Sequence, residues 1–145
     1  MRLVLLGLVL LAAPLFAAEE LSPEETIKKY LTAVKVNDFK TAYQCVSKGM
    51  SLGKSEEEWV KGQQWVMQMS EAKVLDFRVY PGKVEGDKAY VPNLLSSQDK
   101  YLNQLGVEEH ELYTLVKEDG KWKVDQQQLI IEGAEKAKWF PTEKK

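Results

Sequence analysis

Near Ala72 the spacing of apolar residues changes from helical to extended, and that change restricts the chain to architectures that place helices first and strands after. Upstream, Ile27, Tyr30, Leu31 and Val34 recur at i, i+3, i+4 and i+7, with Lys28, Lys29 and Lys35 off the stripe. The spacing predicts a helix from about Pro23 to Val36, opened by Ser22 with Pro23 and Glu25 as a capping box. Asn37 and Asp38 interrupt it. The stripe then restarts with Phe39, Ala42, Tyr43 and Val46, so a second short helix capped by Asp38 is expected. After a loop from Gly49 to Lys54, Ser55 caps a third helix whose Glu56, Glu57 and Glu58 suit the positive end of its dipole. Trp59, Val60, Val66 and Met67 supply its apolar side.

Downstream, Leu75, Phe77 and Val79 alternate with Asp76, Arg78 and Tyr80 until Pro81 and Gly82, which reads as a half-buried strand. A second run, Lys88 to Val91, follows Gly86 and Asp87, and Pro92 is expected to confine its far end to an edge or a bulge. Ser96 to Leu105 reads as a loop or a short helix. Two further strands, Glu111 to Glu118 and Lys121 to Ile131, meet across Asp119 and Gly120, the residue pair a type I′ hairpin turn requires because both central positions need positive φ. On the last strand, strict alternation puts Trp122, Val124, Gln126, Gln128 and Ile130 on one face. The tail around Trp139 and Phe140 either forms a short helix or lies across the sheet. Helices followed by strands predict one α+β domain, residues 19–145, with the helices on one face of an antiparallel sheet.

Residues 1–18 have a different composition. Arg2 precedes an uncharged run from Leu3 to Ala18 that ends in small residues before Glu19 and Glu20, the order of a secretory signal peptide. The run is shorter than the roughly 20 apolar residues a membrane-spanning helix needs. An exported protein, periplasmic or secreted, is therefore expected, without stable membrane insertion after the signal is removed. Cys45 lies far from the signal exit, so a lipoprotein is not expected. Net charge is −2, with lysines and glutamates interspersed, which argues against nucleic acid as a partner. As the single cysteine, Cys45 forms no internal disulfide and reads as a small buried hydrophobe on the second helix. The single histidine, His110, reads as an exposed strand-end residue, since its neighbours Glu108, Glu109 and Glu111 cannot all point one way on a strand. No metal site, glycine-rich phosphate cradle or serine-nucleophile elbow is present in the sequence, and no cofactor is expected.

The order of elements, the stretch "ETIKKYLTAVKVNDF" from Glu25 to Phe39, the strand pair "FRVYPGKVEGDKAYV" and the closing "LYTLVKEDGKWKVD" together resemble the nuclear-transport-factor-two-like superfamily. The nearest likeness is to small exported bacterial domains associated with lumazine binding. This resemblance implies a curved sheet wrapped around the first helices, a cone whose open end forms a pocket. Ketosteroid isomerases and polyketide cyclases belong to the same superfamily, and Tyr30 falls where the isomerases keep the tyrosine that donates to a developing enolate oxygen. Their catalytic aspartate would fall in Ser47 to Lys54, which contains no acid, and Glu111 stands near where a second acid is expected.

A donor without a base cannot take a proton from carbon, so no catalytic residue is assigned. The candidate ligand-binding set is instead Tyr30, Tyr43, Trp59, Tyr90, Tyr113 and Trp122, with Gln126 and Gln128 as the amides that mark where water or ligand enters. Aromatics of this kind also fill small cores, and that reading stays open for each of them. The expected function is a non-catalytic binding domain for a small aromatic or apolar molecule or a protein partner. An isomerase- or cyclase-like enzyme, or a homodimer pairing through the sheet's outer face, are the alternatives.

Overall fold

A computed structural model describes residues 19–142; the expected signal peptide, residues 1–18, lies outside the described residues. Three helices come first: α1 (Pro23–Lys35), α2 (Phe39–Cys45) and α3 (Glu56–Ser70). Each start is held by a cap legible in the sequence. Ser22 Oγ accepts from the Glu25 backbone N–H at 3.1 Å while the Glu25 carboxylate accepts from the Ser22 N–H at 2.8 Å. Ser55 and Glu58 repeat this reciprocal pattern, and Asp38 accepts from the Thr41 N–H at 3.2 Å.

The sheet is antiparallel, curved and unclosed, in the order β1 (Lys73–Val79), β3 (Lys88–Gln98), β4 (Glu109–Glu118), β5 (Lys121–Leu129), with the short β2 (Lys83–Glu85) also paired to β3. Asp119 and Gly120 turn β4 into β5 at φ 51° and 73°, the conformation the Asp-Gly pair demands. Helix α1 packs on one face against β1, β3 and β5. There Ile27, Tyr30, Leu31 and Phe39 meet Ala89, Val91, Tyr113, Leu115 and Val124, all buried. Across the other face lies α4 (Gly133–Trp139), where Phe140 packs with Leu112 and Ile130. The tail is thus both a short helix and a cover for the sheet.

Four details depart from what the sequence pattern predicts. Pro92 lies in the middle of β3, a central strand, and not at an edge. Its carbonyl accepts from Tyr80 N–H at 2.9 Å, so its missing donor faces the gap between β1 and β2, where Pro81 and Gly82 leave no ladder bond to lose. Leu75 is half exposed instead of inward, because a bulge between Val74 and Asp76 shifts the phase of β1. Val66 is exposed as well, leaving Trp59, Val60 and Met67 as the residues α3 sends to the core. Finally, residues 96–105 contain no helix: β3 runs on to Gln98. Asn103 braces the loop beyond, its amide donating to Ser97 O at 3.0 Å and Val107 O at 2.8 Å while accepting from Val107 N–H at 2.8 Å.

Candidate functional site

The side chains that could bind or react are distributed by a bulge in β5. Leu115 pairs with Val124, but Thr114 pairs with Gln126, so Asp125 is an extra residue and the two faces exchange beyond it. The bulge is the point where the chain leaving α2 docks: Ser47 N–H donates to Val124 O at 2.8 Å, and Ser47 Oγ donates to Asp125 Oδ1 at 2.6 Å. The consequence is a correction. Gln126 and Gln128 do not share a face with Trp122; they pair with Thr114 and Leu112, on the outer side. The amide that reaches inward is Gln127, opposite Tyr113.

Inner-face positions along β4 are Glu109, Glu111, Tyr113 and Leu115, two residues apart. Tyr30 from α1 meets Tyr113 edge to face, ring centroids 6.3 Å apart. Beside them Glu111 is completely buried. Asn93 Nδ2 and the Tyr113 hydroxyl donate to its Oε2 at 2.9 and 3.0 Å, and Gln127 Nε2 donates to its Oε1. Burial raises the Glu111 carboxyl above its usual range, against the three donors that favour its ionised form, with Glu109 adding a further upward push. Burial, then Glu111 and Cys45, pushes the Tyr30 hydroxyl up to about 12, and Tyr113 is raised well above the usual tyrosine value chiefly by burial. Among the described residues one buried side-chain polar atom lacks a partner, Asn93 Oδ1.

The remaining predicted aromatics fall in two places. Tyr43 and Trp59 pack together at 5.7 Å, and the Tyr43 hydroxyl donates to Lys54 O at 2.8 Å. Trp122, beneath Lys117 Nζ at 5.1 Å, faces the same end of the fold. There a cleft of about 850 Å³ opens between α2, the β4–β5 turn and residues Glu19 to Leu21. Tyr43 and Trp122 line it together with Thr26, Lys29, Cys45 and Val46. Tyr90 is elsewhere: it stacks on Trp139 at 6.0 Å on the outer face, because it pairs with Thr114 and not with an inward residue.

Cys45 is buried, its thiol donating to Thr41 O at 3.5 Å, and burial holds its pKa up against Lys29 and Lys123. His110 is half buried and not exposed, since α4 brings Phe140 to 4.7 Å of its ring. No group of three potential metal ligands converges among the described residues. None of their helices is long and apolar enough to cross a membrane.

No family model matches the sequence, and no curated protein matches it significantly. Solved structures do match. An NTF2-like protein from Cytophaga hutchinsonii superposes with TM-score 0.53 at 17% identity, over 72% of this chain and 90% of that one. The fold is nuclear-transport-factor-two-like. A candidate ketosteroid isomerase from Shewanella frigidimarina shares this nuclear-transport-factor-two-like fold with TM-score 0.54 and 18% identity, covering 75% of this chain and 95% of that one. Bd1075 of Bdellovibrio bacteriovorus matches with TM-score 0.52 and 11% identity over 72% of this chain, which spans only 38% of that longer protein. At these identities the likeness is one of fold, and none of these comparisons places the chain in the lumazine-binding branch.

Against the isomerase pattern, the nuclear-transport-factor-two-like frame keeps one tyrosine and one acid but not their arrangement. Glu111 accepts from Tyr113 and not from Tyr30. Asp76 points away, 81% exposed and paired with Lys35 at 3.7 Å. Ser47, in the acid-free segment, is buried on the β5 bulge. Asn93 and Gln127 are not among the residues the sequence points to, and Glu109 enters there only as a neighbour of His110. Glu109 and Glu111 could have been grouped from their i, i+2 spacing, whereas Gln127 could not have been without knowledge of the bulge.

Proposed function

We propose that this protein is a non-catalytic binding module whose ligand, a flat apolar or aromatic small molecule, lies in the cleft between Tyr43 and Trp122. The observation that carries this reading is the cleft itself. Its volume of about 850 Å³ falls within the roughly 300–1,000 Å³ typical of small-molecule sites, and Leu21, Tyr43, Val46 and Trp122 give it apolar and aromatic surface within a lining that is otherwise mostly charged and polar, Glu19, Lys29, Glu118 and Lys121 among it. Catalysis of the isomerase kind is disfavoured because the segment Ser47 to Lys54 offers no acid to serve as a base, and the buried Glu111 carboxylate accepts from Tyr113 instead of standing with Tyr30. Pairing of two copies through the outer face is disfavoured where α4 already covers Leu112 and Ile130. Export is part of the proposal, supported by the order of charges and apolar residues before Glu19.

Mass spectrometry under non-denaturing conditions, on protein purified from its native compartment, tests both parts. The expected result is a chain shortened by the signal residues, carrying an organic adduct that Tyr43→Ala loses. A full-length chain would contradict export. Absence of an adduct, or one that the variant retains unchanged, would contradict the binding site.

A further inference from the structure

A second site, none of whose residues lines the cleft, is written into the inner face of the sheet. Glu111 is buried there with donors but no cation: among the described residues no ion pair reaches it. The ionisable groups acting on it or acted on by it, Glu109 and Tyr113 from β4 and Tyr30 from α1, are all acids. From β3 and β5 come the neutral amides of Asn93 and Gln127. Burial therefore favours the protonated carboxyl, and the ionised form gains most if positive charge is supplied from elsewhere.

An independent observation points to what is missing. Asn93 is fully buried, pairs in register with Glu111 and gives its amide N–H to that carboxylate, yet its Oδ1 has no donor. Buried acceptors are almost always satisfied, so Asn93 Oδ1 is an acceptor open to a group that donates. Gln127 shows where such a group would come from. It is solvent-exposed, and its amide occupies the donor position on Glu111 Oε1. Its neighbour on the same face, Leu129, is half exposed, so that end of the sheet is uncovered.

We propose that this inner-face site binds the ammonium group of a small amine, which donates to Asn93 Oδ1 and Glu111 Oε1 once Gln127 swings outward. A primary ammonium has three donors and no acceptor. Two are matched by these oxygens, and the third faces water or the half-buried Glu109 carboxylate on the same face.

The test titrates benzylammonium, benzyl alcohol and benzoate separately into the isotope-labelled intact protein near neutral pH, following the side-chain amide signals of Asn93 and Gln127 by NMR. The expected result is saturable movement of both signals with benzylammonium and none with benzoate. Glu111→Gln should weaken the ammonium response at least about tenfold, and Gln127→Ala should strengthen it. Because the isostere comparison needs no variant, a folding defect in Glu111→Gln leaves the test intact. Unmoved Asn93 and Gln127 signals, or equal movement with benzyl alcohol, would overturn the proposal. Neither result would bear on the cleft, whose signals come from Tyr43 and Trp122.

Discussion

Replacing Tyr113 with phenylalanine isolates one bond in the buried cluster. The substitution keeps the ring and hence its edge-to-face contact with Tyr30, and removes a hydroxyl that donates to Glu111 Oε2 at 3.0 Å. A hydrogen bond to a charged acceptor is worth about 1.5–3 kcal/mol, and one between neutral groups about 0.5–1.5 kcal/mol. The loss should therefore depend on whether Glu111 is ionised. Because its folded pKa is raised, the stabilisation tied to its protonated form is fully present below the unfolded carboxyl pKa and is lost as pH rises through the folded value. Wild-type protein should thus be destabilised by this group on going from acid to neutral pH. Tyr113→Phe should steepen that loss by withdrawing a donor that favours the ionised form. Urea unfolding at about pH 4 and about pH 8 measures both effects. The expected cost is about 1 kcal/mol at the lower pH and about 2 kcal/mol or more at the higher. An equal or smaller cost at the higher pH would refute the assignment of Tyr113 as a donor to a buried carboxylate.

Other perturbations test the frame. A Cβ on Gly82 would lie 2.5 Å from Tyr90 O and 3.0 Å from Val91 Cγ2, so Gly82→Ala should lower stability by roughly 1–3 kcal/mol in urea unfolding; a change below about 0.5 kcal/mol would mean the crossing past Pro92 is looser than described. Asn103→Ala removes three bonds that brace the loop after β3, with an expected cost of roughly 2–3 kcal/mol and faster amide exchange at Val107. Gly120→Ala, at φ 73°, should cost about 1 kcal/mol by thermal unfolding without altering the pairing of β4 with β5.

Local rules account for most of the frame. Caps at Ser22, Asp38 and Ser55 and the turn at Asp119 and Gly120 each place a backbone group in a conformation or bond that few other residue types supply, so they are legible without tertiary information. Faces on strands are legible only until a bulge intervenes. Strict alternation puts Leu75 inward and Gln126 and Gln128 beside Trp122, and one extra residue in β1 and another in β5 reverses both assignments. The β5 bulge is set by the docking of Ser47, 78 positions away, which no window of local sequence contains. Pro92 misleads for a related reason: a proline is costly in a central strand only where its N–H would have met an acceptor, and the neighbouring strands break there. The inward stripe with Tyr30 was readable, but the buried acid across from it depended on the register of β4, which the hairpin fixes only after the strand length is known.

The central functional claim concerns which end of the fold receives a ligand. Indole N–H signals offer the most direct measurement, because Trp122 lines the cleft whereas Trp139 stacks on Tyr90 across the sheet. Titrating a flat aromatic probe such as naphthalene-2-sulfonamide should move the Trp122 signal saturably and leave that of Trp139 in place. Movement of Trp139 with Trp122 unchanged would locate binding on the outer face and contradict the account.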